Sequence, residues 1–62
     1  MNTYVIKQDG FIIGQARGKN NAINHLKKVI SWNGEMGEKW HTFSGMIGVN
    51  INDELVYTIE KQ

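Results

Sequence analysis

The residues with the most chemical promise lie between Gly14 and Val29, in GQARGKNNAINHLKKV. Two glycines and a lysine stand there between an apolar run, Phe11-Ile12-Ile13, and a helix-like pattern. A Walker A loop requires G-x-x-x-x-G-K-[ST], because consecutive backbone N–H groups wrap the phosphates and the hydroxyl holds magnesium. Here Gly14 and Gly18 are separated by three residues, one too few, and Asn20 stands in the hydroxyl position. The strand before it belongs to a hairpin, whereas the P-loop fold is a parallel βαβ system far larger than 62 residues. Spacing and context reject nucleotide hydrolysis. Gly14 is then assigned to strand packing and Gly18 to the bend before the helix. The helix N-terminus still offers free N–H groups, and Arg17 and Lys19 beside it make a candidate anion contact.

The neighbouring stretch TYVIKQDGFIIGQA resembles the opening hairpin of the GIY-YIG nucleases, with Tyr4 near the first motif and Ile12-Ile13-Gly14 at the second. Ile12 replaces the tyrosine of that second motif, no arginine follows on the helix, and no later glutamate falls where the metal ligand belongs. The similarity covers about a quarter of the chain and carries no nuclease activity with it.

Other reactive groups are scattered. His25 and His41 have no cysteine partners, and their separation fits no compact metal motif, so neither a metal nor another cofactor is expected. Glu35 with Glu38, and Asp53 with Glu54, fall in a glycine-punctuated loop and a hairpin turn, where carboxylates are normally solvated. General acid–base work needs a pocket that perturbs one pKa, and so short a chain can hardly build one while keeping a core. Ser31 and Ser44 have no base near them in sequence. A non-enzymatic protein is expected.

The strongest binding candidates occupy the segment from Met36 to Met46. Met36, Trp40, His41 and Phe43 bring sulfur and aromatic surface together, types enriched at protein interfaces. The competing assignment is that Trp40 and Phe43 close one end of a small core, or that one of them does each job.

These groups depend on a few elements. Thr3 to Arg17 predicts a β-hairpin around Asp9-Gly10, a dipeptide suited to a type I′ turn. Its register pairs Gln8 with Phe11, Ile6 with Ile13 and Tyr4 with Gln15, placing Tyr4, Ile6, Phe11 and Ile13 on the core face. Asn20 or Asn21 is expected to cap a helix reaching Trp32, with Ala22, Ile23, Leu26, Val29 and Ile30 in one apolar arc. Asn33-Gly34 supplies the stop. Residues 34–45 form a loop or contain a short strand over 39–43, with His41 pointing opposite to Trp40. Two alternating runs follow, Ile47-Val49-Ile51 and Leu55-Tyr57-Ile59. A three-residue loop from Asn52 to Glu54 keeps both runs on one face. The expected fold is a single α+β domain over 1–62, a small antiparallel sheet in the order ββα-ββ with one amphipathic helix on one face.

Composition narrows the function classes. Residues 1–31 carry Lys7, Arg17, Lys19, Lys27 and Lys28 against Asp9 alone, whereas 32–62 carry five carboxylates against Lys39 and Lys61, for a net charge of +1 overall. That asymmetry favours a partner of complementary charge or self-association over non-specific nucleic-acid binding. There is no cysteine, and the absence of a long apolar run gives no signal peptide or membrane span, so the expected location is the cytoplasm. The expectation is a protein-binding module, a stand-alone regulator or inhibitor of a larger bacterial enzyme, of the phage or mobile-element kind. The alternative is a nucleic-acid-binding domain using Arg17, Lys19, Lys27 and Lys28. A homodimer through a sheet face or an edge strand is compatible with either.

Overall fold

Three two-residue turns organise the chain. Asp9-Gly10, Ser44-Gly45 and Asn52-Asp53 all have positive φ at both positions, from 49° at Ser44 to 86° at Gly10. This is the type I′ signature, whose twist matches that of paired strands. In the computed structural model, which describes residues 2–62, the elements are β1 (Thr3–Gln8), β2 (Phe11–Arg17), α1 (Lys19–Trp32), β3 (Glu38–Phe43), β4 (Met46–Ile51) and β5 (Glu54–Lys61). The strands form one antiparallel sheet in the order β2-β1-β5-β4-β3, with the helix as the only connection from one edge to the other. The α+β class and the extra strand at 39–43 are as the sequence predicts, the strand beginning one residue earlier.

Both hairpin registers differ from expectation for the same physical reason. Gln8 pairs with Phe11, but Ile6 faces Gly14 and Tyr4 faces Ala16, because Ile13 is bulged out of the ladder. Phe11 and Ile12 are 76% and 68% exposed and Ile13 is also exposed, so the expected core positions of Phe11 and Ile13 are incorrect. In the second hairpin the turn is Asn52-Asp53, pairing Ile51 with Glu54, and the expected three-residue loop is absent. Val49 still faces Tyr57 and Ile47 still faces Ile59, as predicted, because a bulge at Val56 restores the parity that the short turn would break. The Val56 carbonyl accepts a hydrogen bond from the Asp9 N–H at 2.8 Å, which ties this bulge to the first turn.

The helix begins at Lys19, with Gly18 (φ 88°) as N-cap and no side-chain cap; the expected caps Asn20 and Asn21 lie inside its first turn. Asn21 instead donates to the Arg17 carbonyl at 2.8 Å. At the other end Gly34 (φ 70°) donates to the Ser31 carbonyl and Glu35 to that of Ile30, the paired bonds of a Schellman stop. Ala22, Leu26 and Ile30 are buried, and Ile23 and Val29 flank them half-buried. They close over Ile6, Ile47, Val49, Ile51, Tyr57 and Ile59. The helix runs back from Gly18 along β2, where a Cβ added to Gly14 would lie 2.9 Å from His25 Nε2. Gly14 therefore serves strand packing, as expected, by letting the helix approach. No helix among the described residues is long and apolar enough to cross a membrane.

One polar contact fixes where the helix ends. The buried Tyr57 hydroxyl, on the central strand, accepts from Asn33 Nδ2 at 2.9 Å and donates to the Glu35 carboxylate. Glu35 is half-buried there, so its expected solvated position is wrong. Burial, then the hydrogen bond to Glu35, raises the Tyr57 pKa above 10.0. A raised folded-state value means that the neutral phenol contributes fully below pH 10 and that this stability is lost as pH climbs from there through the folded value. Urea midpoints measured from pH 8 to 12 are expected to fall beyond 10 in the native chain. Tyr57→Phe should cost about 1–2 kcal/mol at pH 8 and flatten that alkaline decline; an unchanged decline in the variant would assign it to other groups.

Candidate functional site

The strand alternation divides the sequence-predicted binding residues between two faces. Trp40 pairs with Val49, on the helix side, and packs half-buried against the core. The Lys27 ammonium lies 6.0 Å from the centre of its ring. His41 and Phe43 occur at alternate positions of β3 and face the other way, towards the side of the sheet that no helix covers. Their rings stack at 5.2 Å with an interplanar angle of 24°. Met36 lies in the loop before β3, 81% exposed. Trp40 thus packs on the core side, whereas the half-buried Phe43 and the exposed His41 lie on the open face.

The paired rings have a seat. Gly48 of β4 lies beneath them: a Cβ there would be 2.5 Å from Phe43 Cε1, 3.0 Å from His41 Cε1 and 3.1 Å from Leu55 Cδ1. His41 Nε2 also lies 2.7 Å from Asn50 Oδ1, which fixes the imidazole in the plane of the stack. An aromatic plate with an apolar flank, Leu55, and a polar tether, Asn50, therefore stands on the open sheet face. Sequence alternation puts Leu55 in the core row with Tyr57 and Ile59, but the Val56 bulge turns it to the open face, where it pairs with Asn50 and is 44% exposed. Gly48 and Asn50 carry no such expectation. The available signal was the small residue in an otherwise bulky alternating strand, since a strand glycine marks a close approach. Further across the same face, Lys7 and Glu60 form an ion pair at 2.9 Å, so Lys7 does not join a free basic surface.

The charge asymmetry of the sequence becomes an asymmetry in space. The Asp9-Gly10 and Asn52-Asp53 turns, the start of β3 and the end of the helix lie at one end of the sheet, as the strand registers require. Asp9, Glu35, Glu38, Asp53 and Glu54 are gathered there. The opposite end carries Arg17, Lys19 and Lys61, none of which meets a carboxylate within 4.0 Å among the described residues. A depression of about 530 Å³ opens at this basic end, lined by Tyr4, Lys19, Thr42, Ser44 and Lys61 over Ile47. Lys27 and Lys28 are exposed further along the helix. The structure therefore joins Arg17 and Lys19 at one end, adds Lys61 to them, and sets Lys27 apart over Trp40. His25 lies on the helix side and His41 on the open side, so the two histidines do not converge on one ion.

Comparison with protein-family models, with curated proteins and with solved structures finds no match to this chain.

Gly48→Ala is expected to lift the plate from the sheet, because the clash falls on the movable rims of Phe43 and His41 and not on backbone. The cost should be about 1 kcal/mol in urea denaturation, at the low end for an overpacked site. The ring-current shift of the His41 Hε1 resonance should collapse. Retention of that shift in the folded variant would show that the rings do not rest on Gly48.

Proposed function

We propose that this chain is a small non-enzymatic protein-binding module, acting as a regulator or inhibitor of a larger bacterial enzyme, of the phage or mobile-element kind. The observation that carries the reading is the aromatic plate on the open face of the sheet. Phe43, His41 and Leu55 project from a rigid backbone, already ordered by Gly48 and Asn50, so little side-chain entropy remains to be lost on contact. The sheet face measures about 19 Å across five strands and about 20 Å along them, a platform suited to the centre of a standard interface. Mixed apolar and paired-charge groups around an aromatic centre match the core-and-rim pattern of non-obligate complexes. Glu35 is engaged by Tyr57 and the histidines are on opposite faces, which favours binding over turnover.

Tagged protein should retain a partner from bacterial lysate. Phe43→Ala should weaken that retention about tenfold or more while leaving the melting temperature within a few degrees, as for a central interface anchor. Trp40→Ala should act differently, lowering stability first. A Phe43→Ala protein that binds as the native chain does would remove the plate as the contact.

A second reading, nucleic-acid binding by Arg17, Lys19, Lys27 and Lys28, draws support from the gathering of five of the six carboxylates at the far end, the sixth, Glu60, being paired with Lys7. Such binding would be electrostatic, and its affinity should fall steeply between about 50 and 200 mM salt. No mobility shift of duplex or single-stranded DNA or RNA at low salt would dispose of it.

A further inference from the structure

We infer that β2 is a self-association edge, along which two copies of this chain pair antiparallel and extend the sheet from one molecule into the next. The sheet has two edges, β2 and β3, and they are unlike. An unpaired edge presents a row of free N–H and C=O groups, and proteins commonly guard it with charge. β3 carries Glu38 and Lys39 in its first two positions. β2 carries no charge from Phe11 to Ala16 and displays Phe11, Ile12 and Ile13 to solvent. Three consecutive large apolar groups on an edge guarded only by the Ile13 bulge are costly to leave in water. The Ile13 bulge interrupts the ladder at one position, leaving Gly14 to Arg17 in regular register with β1.

Charge selects a second copy as the occupant. A strand that joins β2 antiparallel about a two-fold axis brings the Asp9 turn of each molecule towards the Gly18–Lys19 junction of the other. The acidic end then faces the basic end twice, once on each side of the axis. Arg17 and Lys19, without carboxylate partners among the described residues of one chain, gain them in the pair. A parallel arrangement would set like against like at both ends.

The full chain, followed by sedimentation equilibrium across the micromolar range, is expected to approach twice the mass of one chain, and less readily as salt rises. Ile12→Lys should raise the dissociation constant at least about tenfold, since a lysine guards the edge. Ile12 is exposed, so the far-UV circular dichroism of that variant should match the native chain, and its melting should match at concentrations too low for the native chain to pair. Lys19→Glu, which sets like charge beside Asp9, should raise the constant several-fold, whereas Thr42→Lys on β3 should leave it unchanged. In a mixed isotope-labelled sample, intermolecular contacts should run along β2 amides. A chain that stays monomeric throughout, a dimer indifferent to Ile12→Lys, or one broken by Thr42→Lys would overturn the inference.

Discussion

Fourteen helical residues must close the apolar face of five strands, and most of the structure follows from that constraint. A helix of this length reaches about 21 Å, comparable to the width of the sheet, but its backbone and side chains cover a band only about 10 Å wide. It can shield the face only by lying close and crossing obliquely. Gly14 and Ala16 on β2, with Ala22 on the helix, permit the close approach at one edge. Tyr57 draws the helix exit over the central strand through Asn33 and Glu35. What the helix leaves uncovered beyond β4 is shielded by Trp40, with the Lys27 ammonium against its ring. With one helix spent on one face, the other face stays open, and the paired rings of His41 and Phe43 stand on it.

The parts of this fold that sequence foretells are those governed by local chemistry. The Asp9-Gly10 turn, the apolar arc of the helix, its Asn33-Gly34 stop and the opposed directions of Trp40 and His41 all follow from neighbouring residues. The bulges at Ile13 and Val56 do not. Each is an answer to a conflict between a two-residue turn and the face that a distant element needs covered. In β5 the conflict was visible, since an Asn52-Asp53 turn and two in-phase apolar rows cannot coexist without an inserted residue. Sequence pattern alone favours an insertion in the loop, whereas Val56 takes it, where its carbonyl can accept from Asp9. In β2 side-chain size points to the wrong residues for burial, because fit beneath the helix decides. Large groups at Phe11 and Ile13 looked like core, yet the helix sits where the side chains are small.

The candidate site was legible in part. Met36, Trp40, His41 and Phe43 drew notice as residue types, and the alternation of a strand separates them correctly into an inward tryptophan and an outward pair. Their support came from strands too far away in sequence to be linked to them, Gly48 and Asn50 on β4 and Leu55 on β5. The glutamate misjudged as solvated, Glu35, illustrates the same limit: its partner Tyr57 is 22 residues away. The division of charge was readable along the chain, but its alignment with the strand axis depended on the topology that places both aspartate-containing turns at one end.

The central position of β5 beside β1 has a kinetic meaning. Gln8 meets Tyr57 and the Gln62 N–H reaches the Thr3 carbonyl, so the middle seam of the sheet is stitched from opposite extremes of the polypeptide. Joining segments roughly fifty residues apart costs on the order of 3.5 kcal/mol in chain entropy before any contact rewards it. The β1-β2-helix unit and the three-stranded meander can each zip locally, but neither buries its apolar side alone. Their docking along that seam is the step that must meet this chain-entropy cost, since local zipping leaves both apolar sides open.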